Sequence, residues 1–193
     1  MRQIILITLL LIPTAAMIVD TVRFLKPSEF DVLLNDVNEA DLYLIAQMEG
    51  APYLNESSTE LPIFPVEGLV MSTHRRYMIN LMVRRKNTQP YINVVFLIDT
   101  GSPYTFLSRK AIEALMPTAT NLPTMLRLDI HGTPSMVCYM SPPSKHFADL
   151  NLLGMDFLEL KGALIDTDWT HKTFVLHDAE SRKTTTYNLY TRN

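Results

Sequence analysis

The sequence predicts a mainly β domain with one or two short helices, preceded by an N-terminal apolar segment and an amphipathic helix. Three observations predict this. From Leu69 onward, apolar residues run in short stretches rich in β-branched and aromatic side chains, separated by Gly, Pro, Asn and Ser. Upstream, Phe30, Leu33, Leu34, Val37, Leu44, Ile45 and Met48 recur at roughly helical spacing. At the start, Ile4 to Val19 is almost wholly apolar, broken only by Thr8, Pro13 and Thr14.

Composition bounds the rest. A chain of 193 residues has room for one domain plus appendages, and a hydrophobic share of 47% is enough for a packed core. The net charge of -3 gives no reason to expect a nucleic-acid partner. The single cysteine, Cys138, excludes an internal disulfide, and one Cys with five scattered His builds no zinc cluster, so neither metal nor cofactor is expected. Cys138 itself reads as a strand residue, a small hydrophobe.

In chain order, residues 1–20 have the length of a signal peptide, with Thr14-Ala15-Ala16 offering small residues for cleavage. An uncleaved signal anchor is the rival, and a buried helix the bland alternative. Either membrane reading places the protein at a membrane, anchored through Ile4–Val19, or in the secretory pathway. Residues 21–67 hold a helix over 29–48, started by Pro27-Ser28 and stopped by Gly50, then a Pro- and Ser-rich linker. Asn55-Glu56-Ser57 is a glycosylation sequon, meaningful only in a secretory lumen.

Residues 68–178 form the β domain, and 179–193 a polar tail. Arg76 to Arg84 and Tyr91 to Ile98 flank a hairpin turn, as do Met125 to Ile130 and Ser135 to Met140. Arg75, Arg76, Arg84, Arg85 and Lys86 cluster at the first hairpin, and without an aromatic platform they read as a solvated face. Ser108 caps a short helix that stops before Pro117. Ala163-Leu164-Ile165 and Thr173 to Leu176 make a last hairpin with Asp166-Thr167-Asp168 in its turn.

The chemistry concentrates in Tyr91 to Ser108. A buried strand, Tyr91 to Ile98, runs into Asp99-Thr100-Gly101-Ser102. A carboxylate at the end of a buried strand is opposed by desolvation, so it must be hydrogen-bonded, paired or functional. About fifty residues on stands Leu152-Leu153-Gly154, followed by a short helix, Met155 to Leu160.

These two motifs, in this order and spacing, resemble the retropepsin-like aspartic proteases, over roughly Leu61 to Leu176. The resemblance implies a closed acid-protease β-barrel half and a homodimeric endopeptidase acting on protein or peptide substrates. It implies that Asp99 is the catalytic acid/base, that Thr100 locks the paired loops, and that Gly101 and Ser102 complete the active-site loop. Leu152, Leu153 and Gly154 are implied as the supporting motif behind that loop. The hairpin tip His131-Gly132-Thr133 is implied as the substrate flap.

Pro103, Tyr104 and Met155 depart from the retroviral pattern, which carries acidic residues and an arginine there; this points to a cellular-type enzyme. Asp166-Thr167-Asp168 lacks the glycine and is rejected as a second loop. A catalytically silent module, kept for dimerisation or peptide binding, is the alternative.

Overall fold

The computed structural model describes residues 26–32, 35–57, 63–88 and 90–183. The apolar Ile4–Val19 segment, residues 33–34 of the expected helix, part of the linker and residues 184–193 lie outside the described residues.

The described chain is mostly β sheet with a few short helices, as the patterning predicts. Its strands are β1 (Val66–Met71), β2 (Arg76–Arg85), β3 (Ile92–Ile98), β4 (Phe106–Leu107), β5 (Met125–Ile130), β6 (Met136–Met140), β7 (Leu152–Leu153), β8 (Leu164–Asp168) and β9 (Thr173–His177). The helices are α1 (Glu39–Met48), α2 (Arg109–Leu115) and α3 (Met155–Lys161). The strands form one sheet in the order β3-β7-β4-β6-β5-β2-β1-β9-β8, and β3 also pairs with β2, so the first six strands return on themselves.

All seven residues of β3 are buried, which is what its uninterrupted Ile-Asn-Val-Val-Phe-Leu-Ile run requires. Antiparallel β2 lies against it, with Met78 opposite Leu97 and Val83 opposite Ile92. Around this pair Phe96, Phe106, Phe147, Phe157 and Phe174 are fully buried.

The expected helix over 29–48 is corrected. A short 3-10 turn occupies Pro27–Glu29, and the α-helix begins only at Glu39. Asn38 decides the start, because its side chain accepts from the N–H groups of Ala40 and Asp41 while Asp41 accepts from the Asn38 N–H at 2.8 Å. Upstream of that cap, Phe30 is buried in an extended arm, its ring 5.8 Å from Phe106 and 5.7 Å from Phe147. Asp36 ties the arm to β2 through Arg76 at 2.8 Å.

The arm and helix therefore belong to the core of the β domain. Phe30, Val32, Val37, Leu42, Ile45 and Tyr53 all sit in the same buried cluster as β3. After α1, residues 54–57 run beside the start of β3, with Leu54 N–H donating to Asn93 O at 2.8 Å and Ser57 N–H to Tyr91 O at 2.9 Å.

A second correction concerns Asp166 and Asp168, which stand on strand β8 and not in a turn. They are opposite Val175 and Thr173 in the β8–β9 ladder. The turn is residues 169–172, which Asp168 caps by accepting from the Thr170 and His171 N–H groups. At the C-terminal end, Lys161 pairs with Asp178 at 3.6 Å and Arg182 donates to Gly162 O at 2.7 Å, so residues 178–183 are tied to α3.

Candidate active site

Asp99 leaves the end of β3 half-buried, followed by exposed Thr100 and Gly101 and fully buried Ser102. The loop is held from within. Asp99 Oδ1 accepts from the Gly101 N–H at 2.9 Å, and Asp99 O from the Ser102 N–H at 3.0 Å. An aspartate bonding its own backbone two residues on is a turn device. It occupies one carboxylate oxygen; Oδ2 has no hydrogen bond to another described residue.

The supporting motif lies directly behind. β7 inserts between β3 and β4, parallel to β3 with Ile98 opposite Leu153, and antiparallel to β4 with Phe106 opposite Leu152. The Asp99 N–H donates to Leu153 O at 3.1 Å, and Met155 N–H to Ser102 O at 2.8 Å. Gly154 is a close-packing position, because a Cβ there would stand 2.2 Å from the Tyr104 carbonyl oxygen. The structure thus brings together Asp99, Thr100, Gly101 and Ser102 with Leu152, Leu153 and Gly154.

The residues that lock this assembly include some that local sequence reasoning missed. Asp156 accepts from the Thr105 N–H at 3.0 Å and from Thr105 Oγ1 at 2.6 Å, and Thr105 Oγ1 accepts from the Gly154 N–H at 3.1 Å. Asn151, fully buried, accepts from the Ser108 N–H at 2.8 Å and donates to Val95 O and the Tyr53 hydroxyl. The signal available for Asp156 was an acidic residue in the first turn of a helix, directly after an apolar run and a glycine. For Asn151 it was one amide opening that run.

The expected flap tip is elsewhere, and this corrects its placement. His131 N–H donates to Met82 O at 2.6 Å, and Met82 stands opposite Asn93 on β3. Asn93 is six residues from Asp99, so the tip sits about 20 Å along the strand from the carboxylate. His131 and Thr133 are buried. His131 Nε2 donates to Ile63 O at 2.9 Å while Nδ1 accepts from the Met82 N–H at 3.4 Å, and its ring meets Phe64 edge-on. A neutral imidazole with both nitrogens occupied is a packing element, and burial lowers its pKa. Gly132 takes the positive φ, 73°, that the turn needs.

Of the basic cluster, Arg76 pairs with Asp36 and Arg84 with Asp129 at 3.1 Å, Arg84 also lying over the Tyr91 ring. Cys138 is fully buried, and desolvation pushes its thiol far up, away from nucleophilic use. Asn55 is exposed beside the start of β3, its carbonyl accepting from the Asn93 N–H at 2.9 Å. Among the described residues no cluster of three His, Cys, Asp or Glu can hold a metal ion.

No protein-family model matches the chain. No curated protein matches it either. Among solved structures, a retropepsin-like aspartic protease from Rickettsia conorii is similar at 18% identity and a TM-score of 0.37, over 59% of this chain and 94% of that one.

Proposed function

We propose that the chain is a homodimeric aspartic endopeptidase in which Asp99 of each copy meets across a twofold axis. The observation that carries this reading is the Asp99 loop itself. A carboxylate at the end of a buried strand has one oxygen fixed by the Gly101 N–H and the other without a partner among the described residues. The loop is braced by β7 and Gly154 from behind, with Thr100 and Gly101 exposed in front. The return of the strand order from β2 to β3 supports the closed-barrel reading of the domain.

One such loop supplies half of the chemistry. Asp166-Thr167-Asp168 lies on β8, at the other end of the strand order from β3, and makes no second loop. Two copies related by C2 symmetry present the same surface to each other, so exposed Thr100 and the 42% exposed Met155 beside the loop would meet their equivalents. Two carboxylates about 3 Å apart cannot both ionise, so they share one proton. The ionised member takes a proton from the water between them. That water attacks the scissile carbonyl, whose oxygen is polarised by the protonated member. Proton return to the departing amine completes the cycle without a covalent intermediate.

The apolar Ile4–Val19 segment supports a place at a membrane or in the secretory pathway, where Asn55 would be open to glycosylation. Among the described residues no helix is long and apolar enough to cross a membrane.

The test uses the full-length chain in mild detergent, with a mixed peptide library from acid to neutral pH and cleavage read by mass spectrometry. Asp99→Asn should lower cleavage by on the order of 10³-fold or more, and pepstatin should block the wild type. A folded dimer that cleaves nothing at any pH would turn the reading to a peptide-binding or dimerisation module. A wild type that cleaves as a monomer would overturn the homodimer.

A further inference from the structure

Glu49 is the C-cap of α1, where the chain turns back over the sheet. Its Oε1 is buried without a hydrogen-bond partner, and so is Oδ1 of Asn80 on β2. Both side chains line one cavity of about 690 Å³ beneath residues 50–57. Asn80 Nδ2 donates to Ala51 O at 3.2 Å, so Asn80 grips the chain two residues past Glu49.

With Glu49 ionised, both orphan atoms are acceptors and neither can satisfy the other. One proton on Glu49 turns its carboxyl into a donor. The rest of the wall opposes a charge there. Glu67 faces from β1 and Glu56 from the 50–57 segment, the polar side chains that β2 and β3 present are the amides Asn80 and Asn93, and among the described residues no Lys, Arg or His lines the cavity. Burial first, then repulsion from Glu67, raises the Glu49 carboxyl from 4.5 to about 7.

We propose that Glu49 is an acid-closed latch: protonated, it holds residues 50–57 against β1 and β2, and ionised, it releases them. Those residues carry the Leu54 and Ser57 N–H bonds to the start of β3, and accept the Asn93 N–H. The latch therefore acts on the strand that ends in Asp99.

The direction follows from linkage. The folded-state pKa lies above the unfolded one, so the contribution is whole below about 4.5 and is lost as pH rises through about 7. Outside the cavity, His131 is bonded to Met82 of its wall, and its lowered pKa gives an effect of opposite sign.

Hydrogen exchange of the full-length chain, corrected for the intrinsic pH dependence, reads the latch at the amides of Leu54, Ser57 and Asn93. Between about pH 5 and pH 8, protection in the wild type should fall on the order of tenfold or more. Glu49→Gln, whose amide donates without titrating, should abolish that fall, and Glu67→Gln should move its midpoint down. Equal protection at both pH values, or an equal fall in Glu49→Gln, overturns the proposal. If Glu49→Gln does not fold, the wild-type Glu49 carboxyl is titrated by carbon NMR. A midpoint near 7 supports the latch, and one in the ordinary range of about 4–5 overturns it.

Discussion

Asp156 illustrates how much of the candidate site rests on single side chains outside the Asp-Thr-Gly-Ser loop. Its two oxygens hold the N–H and hydroxyl of Thr105, fifty-one positions away in sequence. Asp156→Ala leaves those buried donors unanswered, at a cost of about 1–3 kcal/mol. We expect a lowered urea midpoint with an unchanged slope; an unchanged midpoint would show that water serves Thr105 equally well. Gly154→Ala is the steric counterpart. A methyl group 2.2 Å from the Tyr104 oxygen must move the backbone of one loop or the other. The expected cost is about 1–3 kcal/mol, and the cleavage proposed for Asp99 should be lost with it, because the Asp99 loop is built on that contact. Asp99 and Gly154 were legible because their motifs are local. Asp156 and Asn151 were not, because what each one bonds lies far along the chain.

Among the elements, β3, β2 and the β5–β6 hairpin stand close to where alternation and turn residues put them. The reason is that a strand buried on both faces or on one face shows its burial in its own residues. Helix α1 was misjudged at its start, since Phe30 and Val37 share the apolar spacing of a helix yet are buried from an extended arm. The β5–β6 tip was correctly read as a turn and wrongly placed near the Asp99 loop. It instead packs on Phe64 and Met82, and His131 gives it a pH signature. A buried neutral imidazole with lowered pKa contributes stability above its unfolded value of 6.5, lost as pH falls. His131→Gln should therefore flatten the acid limb of a thermal-melt profile; an unchanged limb would assign it to other groups.

At the scale of the whole molecule, the N-terminal arm and α1 are part of the β domain and not an appendage to it. Phe30, Val32, Val37, Leu42, Ile45 and Tyr53 are each buried in the common core. Burial of one such side chain is worth about 1.5–3 kcal/mol, and a domain's entire stability is about 5–15 kcal/mol. A fragment of residues 68–178 should therefore lack a cooperative melt and near-ultraviolet circular dichroism, whereas one beginning at Lys26 should keep both. A cooperative melt from the shorter fragment would show that the arm is dispensable.

The sequence by itself determined the mainly β class, the strand that carries Asp99 and the motif that braces it. These are written in runs of neighbouring residues, where burial, turn formation and close backbone approach each leave a local mark. Only the tertiary structure decided that the arm enters the core, that the hairpin tip lies far from Asp99, and that Glu49 and Asn80 share one cavity wall. Those depend on which distant residues meet, and a side chain's spacing along the chain carries no record of its partner across the sheet.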